Sequence, residues 1–142
     1  MVKVSLIEPH EMVCNLLIPK TLIVAPRQSG KTTAIRKAIE SIEYYKVFVA
    51  SKNIKDIAYI GIKNVHLSKD FNQIDVDSIA YKIFVDDIDC MEKDKKYDNY
   101  YVSLETPGIY AATTSILDFD RVQQLIRRRR FDFERICIVD EL

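Results

Sequence analysis

The chain has 142 residues, 48% hydrophobic and 30% charged, which is typical of a soluble globular protein the size of one domain. Its 21 basic residues equal its 21 acidic residues, so it lacks the basic excess of a protein that coats nucleic acid by electrostatics alone. The three cysteines have no metal-binding spacing, and no leader or membrane-spanning apolar run is evident. We therefore expect a single cytoplasmic domain over residues 1–142 that does not enter a membrane.

The first half of the chain predicts strands that alternate with helices. Residues 21–25 are an apolar run that ends in a loop, and residues 31–43 carry apolar side chains at helical spacing. Residues 47–50 predict a second strand. Residues 52–80 are expected to hold a short helix and a short strand near Val65.

The second half repeats this alternation. Residues 83–85 predict a strand that is followed by acidic residues, and residues 109–112 predict a strand that is followed by hydroxyl residues. Between them, residues 90–105 are charged and tyrosine-rich and are expected to form an exposed helix or a mobile insertion. Residues 118–130 predict an amphipathic helix, and residues 136–139 predict the last strand.

This pattern indicates an α/β fold. Continuous apolar runs that alternate with amphipathic helices are typical of a parallel sheet with helices on both faces. We predict a three-layer domain with a mainly parallel five-stranded sheet, to which residues 3–7 add an edge strand.

The loop after the first strand fits a phosphate-binding pattern. Residues 25–32 read APRQSGKT and match GxxxxGK[ST] except at the first position, where Ala25 replaces glycine. Gly30 keeps side-chain atoms away from the converging backbone N–H groups, and the next helix directs its positive dipole end at the anion. Lys31 is expected to contact the β- and γ-phosphates, and the Thr32 hydroxyl is expected to be a Mg²⁺ ligand.

The loop therefore predicts binding of ATP with Mg²⁺. The residues expected to bind the nucleotide are Ala25, Pro26, Arg27, Gln28, Ser29, Gly30, Lys31, Thr32 and Thr33. Arg27 either contacts phosphate and assists catalysis or points to solvent.

Two acidic residues follow the strand at residues 83–85. We expect Asp86 to hold Mg²⁺ and Asp87 to act as the base that polarises the attacking water, although its side chain is one methylene shorter than the glutamate common at this place. Asp140 and Glu141 also follow an apolar strand and are the alternative acidic pair. We prefer the first pair because only it leaves a complete five-stranded unit.

Hydroxyl residues end the strand that follows the acidic one. Thr113 or Thr114 could touch the γ-phosphate and sense hydrolysis, with Thr114 taken as a nucleotide-binding residue, or the hydroxyls could cap the next helix. This additional strand, at residues 109–112, favours the additional-strand branch of phosphate-loop proteins. In that branch it lies between the strand before the phosphate-binding loop and the strand before the acidic residues.

Four arginines, at positions 127–130, end the predicted helix. Cations there suit the helix dipole on a solvated face. The alternatives are contact with a DNA backbone, an arginine finger for a neighbouring subunit, or a lid over the phosphates.

The loop APRQSGKTT resembles that of the large terminase subunits, the viral DNA-packaging motors. The match covers about nine residues and carries over onto Arg27, Gln28, Gly30, Lys31 and Thr32. The family's acidic motif would fall on Asp86 and Asp87, where glutamate is usual at the second position, and its coupling motif would fall on Thr113, Thr114 and Ser115.

The resemblance implies a RecA- or terminase-like P-loop ATPase that couples hydrolysis to movement of double-stranded DNA. It also implies a homo-oligomeric ring or a viral partner protein, in the host cytoplasm. The rival functions are a small nucleotide or metabolite kinase, and a switch or assembly protein that binds nucleotide without significant turnover.

Overall fold

The computed structural model describes residues 2–42, 46–51, 65–68, 81–88, 109–129 and 133–139. Two predictions concern residues outside these ranges, so they stay predictions. They are the predictions for residues 90–105 and for residues 52–80 apart from the strand at Val65.

One parallel sheet organises the described part of the chain. Its strands are β1 (Lys3–Ile7), β2 (Thr21–Val24), β3 (Lys46–Ser51), β4 (Val65–Ser68), β5 (Tyr81–Asp86), β6 (Ile109–Thr114) and β7 (Arg135–Val139). The spatial order is β1-β7-β2-β6-β5-β3-β4. The five strands of the predicted unit form the middle of the sheet. The sheet is wider than these five strands because β1 and β4 pair along its two edges.

The helices differ in two places from the sequence-based expectation. A 3₁₀ turn (Pro9–Glu11) leads into a short helix α1 (Met12–Leu16), which was not predicted. Helix α2 (Lys31–Glu40) ends before the predicted residue 43, and at its C-cap the Ser41 hydroxyl donates a 2.7 Å hydrogen bond to the Ala38 carbonyl. Helix α3 (Phe119–Arg129) follows β6 as predicted. No helix in the described ranges is long and apolar enough to cross a membrane.

Apolar side chains are buried on both faces of the sheet. Along β2, Leu22 and Val24 belong to the core shared with α3, whereas Ile23 and the following Ala25 belong to the core shared with α1 and α2. Successive residues of a strand point to opposite faces, so helices on both sides require a continuous apolar run. The fold is therefore α/β, with helices on both faces of a parallel sheet.

The strand order brings three chain segments together. Strand β6 lies between β2 and β5, with Val24 opposite Thr114 and Val85 opposite Ala112. This is the position that was predicted for the strand that ends in hydroxyl residues. Because the three strands are parallel, their carboxyl ends lie side by side. The loop after β2, the acidic residues at the end of β5 and the hydroxyl residues at the end of β6 are therefore close together.

Candidate functional site

The loop between β2 and α2 turns through two residues with left-handed backbone angles. Gln28 has φ 60° and Gly30 has φ 93°. The hydrogen-bond ladder of α2 begins where the Ala34 N–H donates to the Gly30 carbonyl at 2.8 Å. The N–H groups of the first helical turn precede this ladder, and left-handed turns gather backbone N–H groups into concave anion sites. An apolar strand is therefore followed by a left-handed turn and a helix start, a geometry that suits an anion.

Lys31 is the first residue of α2, and its side chain is buried. Its Nζ donates to the carbonyls of Ala25 at 3.1 Å and Pro26 at 2.8 Å, and it lies 4.0 Å from Asp87 Oδ1. Burying an ammonium group is costly unless it is paired and hydrogen-bonded. These interactions hold a positive charge under the loop between β2 and α2.

Asp86 is buried at the end of β5 and accepts hydrogen bonds on both carboxylate oxygens. Thr32 Oγ1 donates to Oδ2 at 2.7 Å, and Thr113 Oγ1 donates to Oδ1 at 3.1 Å. One bond therefore comes from the first turn of α2, and the other comes from β6, the strand between β2 and β5. The carboxylate joins three separate segments of the chain.

Asp87 has a left-handed backbone with φ 50°. Its N–H donates to Thr113 Oγ1 at 3.1 Å, and its Oδ1 accepts from Ser115 Oγ at 3.3 Å. Aspartate tolerates this region better than most residues, but the conformation is uncommon outside glycine. The backbone turn separates Asp87 from its neighbour Asp86, which is buried, and leaves the Asp87 side chain partly exposed.

A cavity of about 410 Å³ lies over these groups. It is lined by Arg27, Gln28, Gly30, Lys31, Thr32, Thr33, Asp87 and Ser115. All of these except Ser115 were predicted as site residues individually; Ser115 entered only through the hydroxyl motif of the resemblance. Its signal in the sequence is its place directly after the last strand residue, Thr114.

Other predicted site residues contribute differently. Ala25 and Pro26 supply the carbonyls that hold Lys31. The Ser29 hydroxyl oxygen is buried and has no hydrogen-bond partner within the described segments, so it suits an acceptor brought by a ligand.

The two threonines at the end of β6 have different roles. Thr113 contacts the acidic pair, whereas Thr114 Oγ1 accepts a 3.2 Å hydrogen bond from the Ile116 N–H. Thr114 therefore caps the turn that leads to α3, and it does not line the cavity formed by the described residues. Its predicted contact with nucleotide has no support in this geometry.

Arg127, the first residue of the arginine run, lies away from the cavity. Arg127 is exposed and lines a separate cleft of about 300 Å³ with Val2, Val4, Gln123, Ile126 and Ile136, beside the amino ends of β1 and β7. The loop that leads to α2 follows the carboxyl end of β2, so it lies at the other end of the strands. Arg127 is thus not placed as a lid over phosphates of its own chain. Arg130 and the alternative acidic pair, Asp140 and Glu141, lie outside the described residues.

Two oxygen-bearing side chains beside the loop, those of Thr32 and Asp86, could contribute to a divalent-cation site. No group of three or more histidine, cysteine or acidic side chains that could hold a metal is found in the part of the chain that the structure describes. Mg²⁺ is usually bound by one or two carboxylates together with substrate phosphates. Thr32 and Asp86, in hydrogen-bond contact beside the loop, would be the protein's contribution to such a site.

Comparisons with protein-family models, with curated proteins and with solved structures found no match to this chain.

Proposed function

We propose that this chain is an ATPase that binds Mg²⁺–ATP at the loop before α2 and couples hydrolysis to work on double-stranded DNA. The observation that carries the proposal is the hydrogen bond between Thr32 and Asp86, which joins a GKT helix start to an acidic strand end. The place of β6 between β2 and β5 supports a phosphate-loop domain of the additional-strand type, RecA- or terminase-like.

The binding roles follow from charge and position. The helix start and Lys31 supply positive charge for the β- and γ-phosphates. Thr32 and Asp86 would hold Mg²⁺, which when bound neutralises phosphate charge and screens the developing charge of the reaction. Arg27 is exposed at the rim of the same cavity and adds a second cation that can contact phosphate.

Asp87 is the proposed base. In hydrolysis, a water oxygen bonds to the terminal phosphorus and the bond from that phosphorus to the bridging oxygen breaks. The products are ADP and inorganic phosphate. Asp87 lines the cavity and would orient this water and accept its proton, which then passes to the phosphate or to solvent.

The connection from the site to α3 supports coupling to DNA. Ser115 contacts Asp87, and α3 begins four residues later and ends in the arginine run. A change at Asp87 would therefore be transmitted to one end of a helix whose other end carries cations suited to a DNA backbone. Movement along DNA would require further subunits, as a homo-oligomeric ring or with a viral partner protein.

The test is steady-state ATP hydrolysis with and without double-stranded DNA, using the wild-type chain, Lys31→Ala and a matched control, Lys37→Ala. Lys37 is exposed on the same helix. We expect DNA-stimulated turnover that is abolished in Lys31→Ala and kept in Lys37→Ala. Equal turnover in wild type and Lys31→Ala would refute the proposal.

One observation favours a second candidate, a nucleotide-binding switch without significant turnover. The Asp87 carboxylate already accepts a hydrogen bond from Ser115 and lies 4.0 Å from Lys31, so these contacts compete with a water for its oxygens. Tight ATP binding without turnover, with or without DNA, would select the switch.

A further inference from the structure

Thr113 lies at the centre of the site but not in the cavity. It is fully buried on β6, opposite Ile23 of β2. Its hydroxyl makes two hydrogen bonds, as the donor to Asp86 Oδ1 and as the acceptor of the Asp87 N–H, both at 3.1 Å. One side chain thus contacts both members of the acidic pair.

The two bonds determine what this hydroxyl can do. A threonine hydroxyl has one proton to donate, and a phosphate oxygen that carries no proton can only accept. The Thr113 proton is used by Asp86, so a bond to the γ-phosphate would first have to break the bond to the carboxylate. This argues against the phosphate-sensing role that the sequence suggested for Thr113.

The same bonds fix the geometry of both acids. Thr32 and Thr113 occupy different oxygens of Asp86, which prevents rotation of the carboxylate. The bond to the Asp87 N–H holds the left-handed turn that aims Asp87 at Ser115 and Lys31. Groups that orient a metal-binding carboxylate affect metal affinity without touching the metal.

We propose that Thr113 is a positioning residue that sets the Asp86 carboxylate for Mg²⁺ and the Asp87 backbone for its place beside the phosphates. This inference rests on the proposed Mg²⁺–ATP site. It differs from phosphate sensing in a measurable way, because the loss of a positioning group affects the Mg²⁺-dependent part of ATP affinity and spares the part that phosphate contacts supply.

The experiment is equilibrium binding of a fluorescent ATP analogue, measured with Mg²⁺ and again with EDTA. The variants are Thr113→Val, which removes the hydroxyl, and Thr113→Ser, which keeps it. Thr21→Val is the matched control, since Thr21 is equally buried on the neighbouring β2 and its hydroxyl has no partner among the residues described.

We expect Thr113→Val to weaken binding about 10-fold with Mg²⁺ and less than about twofold in EDTA. Thr113→Ser and Thr21→Val should retain the wild-type response to Mg²⁺. An unchanged Mg²⁺ response in Thr113→Val, an equal loss with and without Mg²⁺, or a loss in Thr113→Ser as large as in Thr113→Val would each overturn the positioning role.

Two additions keep the result decisive. If Thr113→Val does not fold by circular dichroism, Thr113→Cys replaces it, because a thiol keeps the size but is a weak donor. Lys31→Ala is titrated alongside: full affinity in that variant would overturn the phosphate site itself. Weak binding by Lys31→Ala, with a wild-type Mg²⁺ response in Thr113→Val, would overturn the positioning role alone.

Discussion

Thr32 and Asp86 are 54 residues apart in the sequence, and Thr32 Oγ1 donates a 2.7 Å hydrogen bond to Asp86 Oδ2. Thr32 lies in the first turn of α2, which follows β2, and Asp86 is the last residue of β5. Strand β6 lies between β2 and β5. In the proposed function, this hydroxyl and this carboxylate oxygen would be a pair of hard ligands for Mg²⁺ beside the bound phosphates. This relationship leads to the first prediction.

Replacing Asp86 with asparagine should remove the Mg²⁺ dependence of ATP binding. The change keeps the shape of the side chain but removes the charge that a divalent cation requires. We expect binding to weaken by roughly 10-fold or more with Mg²⁺ and by much less in EDTA, measured by isothermal titration. Asp120→Asn, an exposed change in the first turn of α3, is the control. A wild-type Mg²⁺ response in Asp86→Asn would exclude Asp86 and direct attention to Asp140 and Glu141.

Replacing Lys31 with alanine should remove most of the ATP affinity and leave the domain folded. Hydrogen bonds to charged groups are worth roughly 1.5–3 kcal/mol each, so we expect ATP affinity to fall on the order of 100-fold. Within the protein, the substitution removes two hydrogen bonds, to the carbonyls of Ala25 and Pro26. Circular dichroism checks the fold and fluorescence titration measures the affinity, with Lys37→Ala as the control. Unchanged affinity in a folded variant would refute the assignment of the loop.

Much of the candidate site could be predicted from the sequence, because the carboxyl ends of neighbouring parallel strands lie side by side. The loop at Gly30, the acids at Asp86 and Asp87 and the hydroxyls of β6 each follow an apolar run, so their convergence needs only the strand order. The place of β6 was predicted because a further strand after the acidic one favours the additional-strand branch of phosphate-loop proteins.

The choice between Thr113 and Thr114 was not predictable. Adjacent strand residues point to opposite faces, so one residue of register decides which hydroxyl meets the acids. An irregularity shifts the pairing of β5 with β6 between Ile83 and Phe84, where the partners change from Ile109 to Ala111. Such a shift leaves no pattern in the sequence.

Helix α1 was missed for a different reason. It has five residues, which is too short for a periodic pattern, and its stability comes from tertiary packing rather than propensity. Met12 and Leu16 are buried against the α2 side of the sheet, and Asn15 accepts a 2.8 Å bond from Arg135, 120 residues away. Only the folded chain brings these residues together.

Thr113→Val and Thr21→Val should differ in stability although both remove one buried hydroxyl. Thr113→Val leaves Asp86 Oδ1 without this donor and the Asp87 N–H without this acceptor, each costing about 1–3 kcal/mol. Thr21→Val removes a hydroxyl that has no partner in the described segments and should be neutral or stabilising. Urea unfolding of the two variants checks the difference, and equal stabilities would contradict it.

Gly30→Ala should destabilise the fold through backbone strain. Gly30 has φ 93°, and among the described residues a Cβ there would meet the Met12 Cε at 3.9 Å, an ordinary contact. The cost is therefore conformational, about 1–2 kcal/mol for alanine in the left-handed region, and asparagine tolerates that region better. We expect the free energy of unfolding to fall in the order wild type, Gly30→Asn, Gly30→Ala. Equal values for alanine and asparagine would show that the backbone angle is not the cause.

Lys82 should make stability rise with pH on the alkaline side. Its side chain is partly buried and its Nζ lies 4.1 Å from the centroid of the Tyr110 ring. Burial lowers the pKa of Lys82 below its usual 10.5, although the ring face favours the charged form. Between the lowered pKa and 10.5, the unfolded chain binds more protons at this site than the folded chain does, so the free energy of unfolding increases with pH.

The measurement is urea unfolding of the wild-type chain and of Lys82→Met from neutral pH to 10.5, the usual pKa of the side chain. Other lysines and tyrosines titrate in both proteins and cancel in the difference. Below the lowered pKa of Lys82 the difference should be constant, because both states hold the proton. As pH rises towards 10.5, the wild type should gain stability relative to Lys82→Met. A difference that stays flat or falls across this range would mean that the ring contact, not burial, determines the pKa of Lys82.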